Sequence, residues 1–143
     1  MALGAYGRQA VFAAVKARIA EASGVSYDTR TAIGTLPSGR TSYFVIGPRR
    51  TRRVGRAREQ DGDRLQMETT FPCELAYRSN PHQREESRAA ADDLADAMQR
   101  KTTVNAAGLE TRWASDDETE VPSGEWIVLR FQILASYTFD LAG

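Results

Sequence analysis

Cysteine occurs once in this sequence, at Cys73, and histidine once, at His82. A lone cysteine closes no disulfide within the chain and builds no cysteine-based zinc site, and it fits a reducing compartment. His82 sits in a polar turn ahead of a helix and lacks the nucleophile and orienting partner that a catalytic histidine needs, so it reads as a surface residue. Gly-x-Ser-x-Gly, His-Glu-x-x-His and glycine-rich phosphate loops are all missing. We therefore expect no catalytic residue, no cofactor and no metal. No stretch of about 18 apolar residues occurs, so no transmembrane helix and no membrane partner are expected. Met1 to Gly7 has no basic region followed by an apolar core, which predicts no secretory signal. Nor is there an excess of one charge: 19 Lys and Arg balance 19 Asp and Glu, unlike the basic surplus of a dedicated nucleic-acid binder. Lysine is scarce, with 2 Lys against 17 Arg, a usage that a GC-rich genome explains.

What remains is an ordinary globular balance over 143 residues, 41% hydrophobic and 27% charged, which predicts one domain spanning 1–143. Arg8 to Ala22 reads as a helix, because Val11, Phe12, Val15 and Ile19 form one apolar stripe and Gly24 can end it. Thr41 to Ile46 reads as a short strand stopped by Gly47-Pro48. Pro48 to Asp63 is almost free of apolar residues and reads as a long mobile loop. Arg64 to Arg78 alternates, with Leu65, Met67, Thr69, Phe71, Cys73, Leu75 and Tyr77 on one face and Gln66, Glu68, Thr70, Glu74 and Arg78 on the other. Pro72 predicts an edge strand or a bend there.

A helix follows to about Lys101. Ser79 or Asn80 can cap it, Pro81 suits its first position, and Glu85, Glu86, Arg100 and Lys101 complement its dipole. Ala90, Leu94, Ala97 and Met98 form its buried stripe, joined by Ala91 and Ala95. Val104 to Trp113 holds a weak strand signal, and Ala114 to Gly124 is an acidic turn region. Glu125 to Leu141 alternates again, with Val128 and Leu134 as apolar exceptions on its polar face. The order predicts an α+β fold, a mostly antiparallel (mixed) sheet with two helices packed on one side.

The two long strands carry an argument about assembly. Fifteen residues at ~3.3 Å each span about 50 Å, whereas a domain of this length is roughly 37 Å across. Either the strands bend over one core, with a bulge near Pro72, or they protrude and leave backbone edges for a neighbouring subunit. Tyr43, Phe44, Val45 and Ile46 put apolar residues on both faces of their strand, which reads either as a buried central strand or as one with a face used by a partner; the second reading places Tyr43 or Phe44 at a subunit interface.

Charge is unevenly spread. Arg49, Arg50, Arg52, Arg53, Arg56 and Arg58 crowd into ten residues and could contact DNA phosphates or an acidic partner, or simply be solvated. Asp116, Asp117, Glu118 and Glu120 lack calcium-loop spacing and read as a solvated turn. Cys73, on an inward strand face, reads as a small buried hydrophobe.

The order of segments "AVFAAVKARIAEA", "SYFVIG", the polar loop after it, "LQMETTFPCELAYRS", "REESRAAADDLADAMQR" and "EWIVLRFQILASY" resembles the tail terminator family of long-tailed, lambda-like phages over roughly Ala10 to Leu141. Neighbouring head-to-tail connector and tail completion proteins have similar layouts. The resemblance implies a hexameric ring of a mixed sheet flanked by two helices. It implies a structural virion protein, assembled in the host cytoplasm, that caps the head-proximal end of the tail tube and joins it to the head connector in the neck. Its partners would be itself, the tube protein, the connector, and genomic DNA passing non-specifically through the lumen. A small ligand-binding or enzymatic α+β domain is the alternative from another class.

Overall fold

Helix α1 (Arg8–Ser23) forms where Val11, Val15 and Ile19 recur every fourth residue among alanines, and all three are buried. Gly24 ends it in the left-handed region at φ 70°, its N–H donating to Ala20 O at 2.9 Å. The chain continues through β1 (Ser26–Tyr27), β2 (Tyr43–Ile46), β3 (Arg50–Arg56), β4 (Arg64–Arg78), α2 (Arg84–Thr102), β5 (Val104–Ala106), β6 (Leu109–Trp113), β7 (Thr119–Ser123) and β8 (Trp126–Asp140). The computed structural model describes residues 6–27, 42–56, 64–78, 84–106, 108–114, 119–123 and 126–141, with the backbone alone for 55, 56, 84 and 119–123. The expected caps of the second helix, Ser79 to Pro81, lie outside the described residues, as does His82.

The fold is α+β, as the residue pattern predicts. One sheet runs in the order β1-β2-β4-β8-β6-β5, with β3 also beside β4 and β7 also beside β8. Every pairing is antiparallel except β1 with β2. Both helices pack on one face. There Val11, Val15 and Ile19 of α1 and Ala95 and Met98 of α2 join Phe71, Phe131 and Tyr137 in one core. Each large side chain buried this way contributes about 1.5–3 kcal/mol. Ala90, expected in that stripe, is exposed.

β4 and β8 pair along their whole length, from Arg64 opposite Asp140 to Arg78 opposite Trp126. Their outer edges are filled by short strands of the same chain. β3 and β2 lie end to end along β4, and β6 and β7 lie end to end along β8. The row of open backbone groups expected to recruit a neighbouring subunit is thus closed internally over most of its length, and strand length argues much less for assembly. The breaks in the two outer rows lie level with each other. Pro72 and Gln132 are cross-strand partners; Gly47 N–H donates to Pro72 O at 2.7 Å, and Ala114 N–H donates to Gln132 O at 2.8 Å. Pro72 is therefore on a central strand rather than an edge, and its missing N–H faces the gap between β2 and β3, where no ladder bond is lost.

The expected loop after Pro48 is corrected most sharply, since Arg50–Arg56 is a strand. Its own composition does not favour one; pairing with β4 does. The Thr51 and Thr69 hydroxyls meet at 2.9 Å, and Thr69 in turn meets the Tyr137 hydroxyl at 2.8 Å, tying three strands together. A bulge between Arg53 and Gly55 leaves Val54 exposed. The weak signal at 104–113 resolves into a hairpin, with Gly108 at φ 79° in its turn. Arg18 of α1 fastens that hairpin. Its Nη1 donates to Thr111 Oγ1 at 2.6 Å, and both Nη atoms reach Leu109 O at 3.4 Å. Thr111 Oγ1 donates onward to Thr102 O at 2.6 Å, at the end of α2.

The face opposite the helices is less polar than alternation predicts. Tyr43, Val45, Ala76, Trp126 and Val128 are buried there as a second cluster, with Glu74 buried among the same cross-strand rows.

Candidate docking groove on the face opposite the helices

Strand geometry divides the arginine run. Successive residues of β3 point to opposite faces, so Arg50 and Arg52, the partners of Thr70 and Glu68, stand on the face away from the helices. Arg53, partner of Met67, belongs to the helix side. Arg49, just before the strand, turns toward α1: its Nη1 donates to Arg8 O at 3.3 Å and its guanidinium lies 5.9 Å from the Phe12 ring centre. Lys16 approaches the same ring at 5.6 Å and Tyr27 at 5.4 Å. For Arg56 only the backbone is described, and Arg58 lies outside the described residues.

The register then brings in a residue that sequence reasoning missed. Arg50 pairs with Thr70, Thr70 with Leu134, and Leu134 with Arg112 of β6. These four positions form one row across four strands, with an arginine at each end. The next row runs Arg52, Glu68, Ser136 and Glu110. A groove of about 310 Å³ extends over the first row, lined by Arg50, Arg52, Glu68, Thr70, Arg112 and Gln132, with Ala114 and Leu134 in its wall. Nothing local marks Arg112, since only the β6–β8 register places it opposite Arg50.

The guanidiniums are not equivalent. Arg52 donates from Nε at 3.2 Å and from an Nη at 2.9 Å to Glu68 Oε2. Arg50 and Arg112 are exposed and make no ion pair or hydrogen bond among the described residues. Three guanidiniums against one carboxylate leave two positive charges in excess in the groove lining. Chemically the groove offers two uncommitted guanidiniums, the Thr70 hydroxyl and the Gln132 amide, over an apolar strip from Leu134. That set of donors is of the kind that suits an anionic group.

The other expected site residues lie elsewhere. Tyr43 and Phe44, expected at a subunit interface, are both buried in the protomer: Tyr43 packs against Trp126 with ring centres 6.0 Å apart, and Phe44 against Tyr27 at 5.3 Å. Asp116, Asp117 and Glu118 lie outside the described residues, and Glu120 is in β7. Cys73 is buried in the helix-side core, and burial pushes its thiol far above the ordinary range. No family model matches the chain, and no curated protein matches it.

Proposed function

We propose that this chain is a structural assembly protein that acts by docking. Its specific role is a ring at the head-proximal end of a phage tail tube, ending tube growth and joining the tail to the head connector. The observation that carries the docking reading is the Arg50–Thr70–Leu134–Arg112 row, which sets two uncommitted guanidiniums on either side of one groove. The tail assignment is supported by the order of helices and long strands that resembles tail terminators. The ring draws its support from that resemblance alone, because the long strands find their partners within the chain.

The test is assembly. Light scattering and electron microscopy of the purified chain, at high concentration and with tube protein present, are expected to show a ring, most simply a hexamer, seated on tube ends. A strict monomer under both conditions overturns the reading.

A further inference from the structure

We propose that the groove takes an extended acidic protein segment whose carboxylates four residues apart are held by Arg50 and Arg112. The inference deepens the docking role proposed above and rests on it, but not on the identity of the particle. Three observations favour this ligand over a nucleic acid. The first is size: a groove of about 310 Å³ admits a few side chains, whereas a duplex is a stiff rod with its phosphates on a convex surface.

The second is the floor. Leu134 and Ala114 offer apolar surface beside Thr70 and Gln132, which suits the methylene stems and backbone amides of a peptide. The groove already receives one carboxylate, that of Glu68 on Arg52. The third is spacing. Arg50 and Arg112 stand at the ends of a row across four strands. Three strand separations of ~4.8 Å put them about 14 Å apart, and an extended peptide covers that distance in four residues at ~3.4 Å each, returning to the same side. Such a segment would cross the strands, with one carboxylate at each guanidinium and its intervening side chain over Leu134.

The experiment uses the full chain in low salt and fluorescence anisotropy with four labelled probes. Three are eight-residue peptides of Ser, Thr and Gly: one with two Glu four positions apart, one with the two Glu adjacent, and one with Gln in place of both. The fourth is a short DNA duplex. The spaced peptide is expected to bind at least about fivefold more tightly than the adjacent one. Arg50→Gln and Arg112→Gln should each weaken it by about fivefold, and the double variant should bind it no better than the Gln peptide. Arg100→Gln, the same charge change on α2, should stay within about twofold, and all variants should keep the parent melting transition. The inference is overturned by equal binding of the three peptides, by absence of binding, or by indifference to both substitutions. It is equally overturned if the duplex binds more tightly and is lost in the same two variants. Rings that still form on tube ends after any of these results would remove the ligand class and leave the docking role standing.

Discussion

Arg130 donates from Nε to Glu74 Oε2 at 2.9 Å across the two central strands, with the carboxylate side chain 1% exposed and the guanidinium side chain 43% exposed. The two ends of this pair are unequal. Without Glu74, Arg130 can turn to water; without Arg130, the buried Glu74 carboxylate loses a charged partner inside the sheet. Arg130→Met should therefore cost about 2 kcal/mol and Glu74→Gln about 1 kcal/mol or less. Urea unfolding of both variants measures this, and equal losses would contradict the asymmetry.

Cys73 is a built-in reporter of unfolding. Its Sγ–H donates to Phe71 O at 3.3 Å, and burial raises its pKa above the ordinary 9.0. The thiol should resist alkylation at pH 8 until urea exposes it. The unfolded thiol ionises as the pH passes 9 while the folded one keeps its proton, so the unfolded state binds fewer protons and stability falls as pH rises. Cys73→Ala lacks this component. Its stability deficit relative to the parent should shrink between pH 8 and pH 10.5, and a constant deficit would speak against the raised value.

Phe131 stacks on Trp113 with ring centres 4.4 Å apart and planes 9° apart, and it is buried in the helix-side core. Phe131→Asp places an unpaired carboxylate there, at a cost of several kcal/mol, on the order of the total stability. Loss of the cooperative melt is expected, and Leu129→Asp should behave alike. A transition close to the parent's would mean that the strand face is wrongly assigned.

Arg18 connects α1 to the β5–β6 hairpin and, through Thr111, to the end of α2. Arg18→Met keeps the apolar stem and removes the donors, so a loss of about 1–2 kcal/mol is expected. Hydrogen exchange should show faster opening of 104–113 with β4 protection little changed. A uniform increase across the sheet would mean that the contact is not local.

Replacing Arg49, Arg50, Arg52 and Arg53 with Ser should leave the melting temperature within a few degrees, because all four side chains are exposed. Docking to tube or connector should be lost, and the parent's docking should weaken with salt, which screens exposed charge beyond about 8–10 Å. Normal tails, head joining and infectivity in this variant would leave these arginines no role beyond solvation.

Residues 64–78 were legible to the residue because their apolar positions alternate without interruption, and Val11, Val15 and Ile19 were legible for the matching reason at helical spacing. Arg50–Arg56 was not, because its strand state comes from β4 rather than from its own side chains. Glu74 reads as a surface residue in its own strand; its cross-strand partners, Val45 and Arg130, come from β2 and β8. The signal that did exist was the pair of apolar exceptions, Val128 and Leu134, both buried on the supposedly wet face. The groove was half visible. The arginine run announced charge, but alternation sent its members to different faces, and Arg112 joins only through a register that no local pattern encodes.

The full-length pairing of β4 with β8 has a kinetic consequence. These strands cannot zip from a tight turn, because α2 and three strands lie between Arg78 and Trp126, the nearest partners. A long loop must close before any of the fifteen cross-strand partnerships forms, and loop closure of this kind slows folding. Until then β4 carries Phe71, Cys73 and Leu75 on one face and an unpaired backbone on the edge that β8 comes to fill, the form in which a nascent chain most readily joins another. Slow refolding, with aggregation rising steeply with concentration, is thus written into the same ribbon that makes the finished sheet continuous.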